Sequence, residues 1–467
     1  MLLTSQPEIF QQLRKNFEVF TYEKYFYALE GNEISITFEF KIGDSYTFSP
    51  VLRIPIKDFY NRKLILNLNN DELFRNIVFH IGLIELISYW KAACCPHVLI
   101  KAGKLDAIQL KWLKDVYYNG LGEFFYTNGI KTSIDSFMTI EANEGVQHQK
   151  QDFLPENQGL IPVGGGKDSA VTLELMKGET ICRPFVLNPR KAIRDSILCA
   201  GYSLEEAVVI NRSIDPQLLE MNKNGFLNGH TPFSALLGMI SLMGAYLTDS
   251  KYIYLSNESS ANEPSIPGTT VNHQYSKSIS FERSFREYYK TYISESFEYL
   301  SFLRPLNELQ IAALFSSFLQ YHQVFRSCNA GSKEDIWCGN CSKCLFAAII
   351  LSPFLPEESI NKIFGKEMFK DKNLLPDLHK LCGISAEKPF ECIGTIDEVN
   401  IALVEILKKR KGKTLPLLLA DYEQSKQYID YQHTDFSAFL RELNEEHFLS
   451  QSLITKLTAA LYDRLPG

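Results

Sequence analysis

Residues 160–178, LIPVGGGKDSAVTLELMKG, set three consecutive glycines, a lysine, an aspartate and a serine between a short apolar run and a helical pattern. Glycines adopt positive φ and let backbone N–H groups approach an anion with no Cβ in the way. The helix that follows points its free N–H groups and partial positive charge at the same spot. Gly164, Gly165, Gly166, Lys167, Asp168 and Ser169 are therefore placed to hold phosphate. Two common phosphate loops do not fit. A Walker A loop needs Ser or Thr directly after its lysine, where this chain has Asp168. A dinucleotide turn needs spaced glycines. The bland alternative is a turn that only packs a helix onto a sheet.

A second group with chemistry is SCNAGSKEDIWCGNCSKC. It spaces Cys328, Cys338, Cys341 and Cys344 with nine, two and two residues between them. Overlapping CxxC steps bring thiolates around one tetrahedral Zn²⁺. Four thiolates close the shell, so the zinc would be structural. Reduced buried cysteines and an iron–sulfur cluster are the competing readings.

Two further segments are dense in polar groups. LSNESSANEPSIPGTTVNHQYSKSISFERSFREY offers Asn257, Glu258, Glu263, Asn272, His273, Tyr275, Lys277, Arg283 and Arg286, and NGHTPFSA offers His230 and Thr231. The first follows a predicted strand, and loops at the carboxyl ends of strands line the ligand crevice of an open α/β sheet. For any single residue the alternative is a solvated loop.

The elements that must position these groups can be read from periodicity. LIPV, TICRPFVLN, AVVINRSI and YIYLSNE read as strands. PRKAIRDSILCAG, SALLGMISLMGAYL and NELQIAALFSSFLQYHQVF read as helices between and after them. That alternation predicts a doubly wound α/β parallel sheet over residues 156–352, closed by the cysteine cluster. Residues 1–155 alternate apolar and polar positions through YFYALEGNEISITFEFKIGDSYTFSPVLRIPI and turn helical in DELFRNIVFHIGLIELISYWKAA, which predicts an α+β N-terminal domain. EANEGVQHQKQDFLPENQG reads as a linker. Residues 353–467 read as a mainly helical region, with TIDEVNIALVEILKKRKG its clearest helix.

The chain has 467 residues, enough for about two or three domains, and a formal net charge of -7. That balance disfavours a general electrostatic grip on nucleic acid. No window reaches the roughly 18 unbroken apolar residues of a membrane span. The N-terminus carries charges through its apolar part and does not read as a signal peptide. Ten cysteines without an export signal point to a reducing, cytoplasmic setting.

GGGKDS resembles the PP-loop of the ATP pyrophosphatases, usually Ser-Gly-Gly-x-Asp-Ser, through Gly165, Gly166, Asp168 and Ser169. It departs at Gly164, where the usual serine hydroxyl is missing; Lys167, at the variable position, could offset that loss with its charge. The cysteine spacing resembles that of the 7-cyano-7-deazaguanine synthases, also PP-loop enzymes. A closer resemblance covers about residues 80–398. HIGLIELISYWKAACCP, GLGEFFYTNGI, GGGKDS, NGHTPFSA, SNESSANEP, VNHQYSKS, CGNCSKC and KPFECIGT together look like the UDP-N-acetylmuramoyl-L-alanyl-L-glutamate epimerase family, MurL, which also has GGGKDS.

The MurL resemblance implies ATP-dependent inversion of the terminal L-glutamate of UDP-MurNAc-L-Ala-L-Glu, with AMP and pyrophosphate released, in peptidoglycan precursor synthesis. Adenylating the carboxylate removes its charge and acidifies the α-proton. The PP-loop would hold ATP, with Mg²⁺ to neutralise the phosphates. It also implies functional coupling to the ligase that adds L-Glu. Inversion needs a base and an acid on opposite faces, or one mobile group. His273, Lys277, Tyr275, Glu258, Glu263 and His230 are candidates, and Cys392 another, because thiols are the bases of cofactor-independent glutamate racemases. Arg283 and Arg286 could bind the UDP diphosphate, beside Asn257 and Asn272. The competing readings are an adenylating ligase or nucleobase-modifying enzyme of the deazaguanine-synthase type, a tRNA-thiolating enzyme, and a non-catalytic nucleotide-binding module.

Overall fold

Strand and helix periods separate cleanly along the chain, and the computed structural model, which describes residues 5–178 and 181–465, realises most of them. Thr180, the first residue of the predicted strand TICRPFVLN, and residues 1–4 of the N-terminal segment lie outside the described residues. The N-terminal alternation becomes β1 (Val19–Glu30), β2 (Glu33–Ile42), β3 (Tyr46–Phe48) and β4 (Val51–Pro55), joined as antiparallel neighbours of β2. Strands β5 (His97–Ile100) and β6 (Thr139–Glu141) extend the β1 edge in parallel.

The second half of the sheet is parallel throughout. It contains β7 (Glu156–Pro162), β8 (Ile181–Leu187), β9 (Val208–Ser213), β10 (Ser250–Leu255) and β11 (Glu298–Ser301). The order β11-β10-β7-β8-β9 means that the chain winds outward from β7 in one direction and then returns to start again on its other side. Counted from β7, this is the 3-2-1-4-5 arrangement of doubly wound sheets, and the crevice opens where the winding reverses. Here that point lies between β7 and β10. The two halves are one sheet, because β4 pairs antiparallel with β9.

Alternation along the strands splits the core in two. Leu160, Phe185, Val208 and Ile253 face the layer of the helices Glu72–Trp90 and Phe233–Leu247, and their neighbours Ile161, Val186 and Tyr254 face the other layer. Helix Phe233–Leu247 is apolar all round because it is sandwiched, buried from Ala235 onward apart from Leu237. A Cβ at its Gly244 would lie 2.7 Å from the Phe185 ring, so only glycine lets the helix sit this close to the sheet. The opposite layer holds helices Lys167–Leu175, Glu308–Ser316 and Ser342–Leu351, with C-terminal helices such as Ile396–Lys409 packed outside them.

Two readings are corrected, and one strand is added. NELQIAALFSSFLQYHQVF is not one helix: it stops at Ser316 and resumes as a single 3₁₀ turn at Leu319–Tyr321. The predicted linker is docked rather than free. Its last residues already belong to β7, Gln151 N–H donates to Ile293 O at 3.0 Å, and Phe153 packs on Tyr246 and Phe297. The short β11 has no counterpart among the predicted strands. Among the described residues, no helix is long and apolar enough to cross a membrane.

Candidate active site

The glycine loop leaves β7 at Pro162 and enters helix Lys167–Leu175 with Gly166 as N-cap. A glycine cap supplies no side-chain acceptor, so the first N–H groups of the helix stay open to an anion. Gly165 has φ +81°, and a Cβ there would press to 3.2 Å on the backbone of Ala192 and Ile193. Its carbonyl accepts a 2.7 Å bond from Arg326 N–H, which ties the loop to the segment leading into the cysteines. Gly164 is exposed, with nothing within 4 Å of where a Cβ would stand. Lys167 turns inward and ion-pairs with Asp168 and Glu308, both in short contact. Its ammonium is therefore already engaged by two acidic side chains, and it is not the spare cation over the loop that the sequence suggested. Burial, with Asp168, Glu258 and Glu398 nearby, holds the Glu308 carboxyl well above the usual carboxylate range even though Lys167 opposes it.

The loop after β10 forms the facing wall. Thr172 and Ser256 hydroxyls meet at 2.8 Å and join the two walls. Arg304, with no exposed surface, fixes both ends of the facing loop: it donates to Glu258 O at 2.6 Å and to Lys277 O. The same guanidinium bonds Glu282 at 3.1 Å and Ser301 Oγ at 3.3 Å. The Lys277 ammonium feels Cys392, Glu258 and Asp168. Burial disfavours its charge, but those three partners outweigh burial and hold the ammonium protonated well above its ordinary range.

Cys392 arrives from the C-terminal region on a strap, residues 383–395. Lys388 pins the strap by an ion pair to Glu263 and a 3.0 Å bond to Gly394 O, and Gln274 Nε2 donates to Ile393 O at 3.0 Å. The Cys392 thiol lies near His273 and Lys277, and both favour its charged form. His273 Nδ1 in turn meets Glu123 Oε2 at 2.5 Å, and His230 Nδ1 lies 3.6 Å from the same oxygen. Burial alone would raise the thiol, but Lys277, His273 and Lys343 pull it down to about 6. Burial would lower His273, yet Cys392 and Glu123 lift it to about 9. Burial and the neighbouring His273 charge lower His230 to about 4. Both shifts favour a thiolate beside an imidazolium, with Glu123 behind the imidazole ring.

The four cysteine sulfurs of the cluster lie within 4.8 Å of one another, with Cys328–Cys341 at 3.8 Å, Cys338–Cys344 at 3.7 Å and Cys341–Cys344 at 3.5 Å. A tetrahedron with metal–sulfur bonds of about 2.3 Å has edges of about 3.8 Å. The geometry fits one ion; a cluster with its own inorganic sulfides would spread the ligands further apart. The cysteine loop also abuts the glycine loop, since a Cβ at Gly166 would stand 3.5 Å from Ser327 Cβ.

Comparison with known proteins decides the family. A model of the MurL N-terminal domain matches residues 11–302, and one of the MurL C-terminal domain matches residues 324–435. The chain belongs to the MurL family. A relative from Salinispora tropica, named UDP-N-acetyl-alpha-D-muramoyl-L-alanyl-L-glutamate epimerase, is 30% identical over 421 residues, 88% of this chain and 89% of its own. Relatives of the same name from a Micromonospora species and from Xanthomonas oryzae pv. oryzae are 33% and 32% identical, covering 73% and 71% of this chain and 76% and 75% of theirs. No solved structure matches.

The candidate site of this MurL family member draws on both matched parts: Glu123, the glycine loop, His230, His273 and Lys277 from the first, Cys392 and the cysteine cluster from the second. Not every predicted residue converges. Glu263 is spent on Lys388 in the strap. Tyr275 points away to a cleft of about 670 Å³ that it lines with Trp112, Asn119 and Asn272. Asn257 bonds Ser301 Oγ at 3.1 Å, and Asn272 is used within its own loop, donating to Ala261 O and accepting from Gln274 N–H. Arg286 closes the end of β11, bonding Tyr299 O and Glu298, and Arg283 is a half-exposed partner of Glu446 at 3.7 Å. The arginines thus stand on a helix flank rather than in the crevice. Sequence reasoning missed Glu123, Arg304, Glu308 and Lys343. Glu123 stood in a quoted segment, GLGEFFYTNGI, but nothing local marked its carboxylate.

Proposed function

We propose that the chain inverts the terminal L-glutamate of UDP-MurNAc-L-Ala-L-Glu at the expense of ATP, through an acyl-adenylate. The observation that carries this reading is that a phosphate-type loop and the His273–Glu123 pair, with the Cys392 strap fixed beside it, line one crevice whose walls meet at Thr172 and Ser256. The printed names of the relatives support the substrate. In this reading the wound sheet is of PP-loop type, the open N–H groups at Gly166–Asp168 receive the ATP phosphates, and Mg²⁺ neutralises them. Joining AMP to the glutamate carboxylate removes its negative charge and releases pyrophosphate; the α-proton then becomes acidic enough for a side chain to take. Lys277 faces the charge that develops on the carbonyl oxygen. The cleft of about 670 Å³ on the outer side of the same loop has room for the nucleotide–sugar end of the substrate. The cysteines hold a structural zinc that fixes the loop carrying Arg326 and Lys343.

The test is incubation with ATP, Mg²⁺ and the UDP-MurNAc-dipeptide in D₂O. Formation of AMP, pyrophosphate and α-deuterated product is expected, and Asp168→Ala should abolish AMP formation while the fold persists. ATP turnover that needs ammonia and leaves the α-carbon unlabelled would move the chain to the ligase class. Wild-type turnover in Asp168→Ala would overturn the loop assignment.

A further inference from the structure

We infer that Cys392 is the group that takes the α-proton on one face of the activated glutamate, with His273 and Glu123 as its positioning residues. This rests on the epimerase reading and assigns its central step. Three observations on geometry carry it. Gln274, next to His273, donates to the carbonyl of Ile393, next to Cys392, at 3.0 Å, which fixes the strap against the loop that carries His273 and Lys277. His273 is oriented from behind by Glu123 at 2.5 Å, the nucleophile–base–orienter order that marks an activated cysteine. Finally, Arg304 fixes the carbonyl of Lys277 on that same loop, and the Lys277 charge is felt at both Cys392 and Asp168 of the glycine loop.

The strap has no fold-level reason to bring a cysteine there. It is pinned by Lys388, by Gln274 and by the Tyr126–Glu387 contact, all flanking Cys392 without involving it. The charged groups around the thiol are Lys277 and His273 in contact, Lys343 from helix Ser342–Leu351, the adjacent Glu391, and Glu123, His230 and Glu258 beyond. The cations dominate at the sulfur, and its depressed pKa of about 6 agrees with that balance.

In the step itself the Cα–H bond breaks and the proton goes to the Cys392 sulfur. The electron pair becomes the Cα=C bond as the carbonyl turns into an enolate oxygen beside Lys277. A solvent-derived proton delivered on the opposite face restores the carbon with inverted configuration. Hydrolysis by water then returns the carboxylate and AMP, and the thiol proton leaves to solvent. One proton is lost and one gained at carbon, with no redox change.

The experiment uses the full-length protein and Cys392→Ser. Exchange of labelled pyrophosphate into ATP, dependent on the dipeptide substrate, reads adenylation; deuterium uptake at the glutamate α-carbon reads proton transfer. The expected result is exchange retained within about tenfold and deuterium uptake lowered by about 10²–10⁴-fold. Substrate-dependent exchange absent from the wild type would fail the epimerase reading, not this assignment. Deuterium uptake at the wild-type rate in Cys392→Ser overturns the assignment, and so does loss of exchange in a variant that remains folded. An acyl adduct on Cys392 in a quenched reaction would overturn it in favour of a thioester. A measurement on unmodified sequence guards against misfolding. Mapped by mass spectrometry, Cys392 alkylation by iodoacetamide should titrate near pH 6 and shift upward in Lys277→Met and Glu123→Gln. Titration only above pH 8 in the wild type refutes it.

Discussion

Replacing Arg304 by methionine separates what this residue does for stability from what it does for the site. Arg304 and its partner Glu282 are both buried, 0% and 2% exposed. Methionine leaves the Glu282 carboxylate with only the Ser301 N–H bond at 2.9 Å, and breaking a buried pair from one side costs about 3–5 kcal/mol. It also removes the donors to Glu258 O and Lys277 O. The pair Glu282→Gln with Arg304→Met eliminates the orphaned charge, leaving the two carbonyls at about 1–3 kcal/mol each before relaxation or water relieves them. The double variant should therefore regain much of the lost stability in urea unfolding. Its turnover should not recover, because nothing then holds Glu258 and Lys277 in place, and a displacement of about 1 Å at a reacting group costs about 10²-fold. α-Deuterium uptake measured in the wild type, both single variants and the double variant checks this. If the double variant restores both stability and turnover, Arg304 does no more than neutralise Glu282 and does not position Lys277.

Other outcomes can be measured more simply. The two neighbouring glycines should differ: Gly165→Ala forces φ +81° on a residue with a Cβ and crowds the Ala192 backbone, so it should destabilise by about 1–3 kcal/mol and impair AMP formation. Gly164→Ser, with open space at its Cβ, should keep the midpoint of unfolding unchanged and AMP formation within a few-fold. Elemental analysis should find about one zinc per chain, and Cys341→Ser should lose metal and AMP formation together, because Arg326 and Lys343 flank the same loop; stable metal-free protein would refute the cluster. The thiolate–imidazolium pair should persist between about pH 6 and about pH 9. Cys392 lies below its ordinary 9, so its contribution to stability is full above that value and is lost as the pH falls through 6. His273 lies above its ordinary 6.5, so its contribution is full below 6.5 and is lost as the pH rises through 9. The rate of deuterium uptake should follow the same two limbs, and Cys392→Ser should remove the lower one.

What could be read from sequence was local. The glycine loop announces itself because strand end, turn and helix start are contiguous, and the four cysteines because three of them sit on successive CxxC steps. The strands β7 to β10 were legible by alternation with helices, whereas β11, four residues long, is defined by its pairing with β10. The bond between the two sheet halves was invisible for the same reason, since β4 and β9 meet only through an antiparallel register set in the folded molecule. Arg304 had no signal at all: a lone arginine after a short apolar run reads as surface, and its value lies in four partners from three separate segments.

The proton-moving group shows why such a site resists reading from sequence. Its members come from a six-residue helix at Glu123, the loop after β10 and a C-terminal strap, and each alone has an ordinary explanation. Only the folded chain sets Cys392 between two cations. The cysteine loop supports this from the rear: Asn329, next to Cys328, bonds Glu391 on the strap, and Lys343, between Cys341 and Cys344, adds its charge at both Asp168 and Cys392. The cluster therefore couples the phosphate wall to the thiol wall. Loss of the metal should be felt at Cys392 before it is felt in the sheet, as a slower and more alkaline alkylation of that thiol while the midpoint of global unfolding has yet to move. Unchanged Cys392 reactivity in metal-stripped, folded protein would separate the two sites and leave the cluster as a staple for its own loop alone.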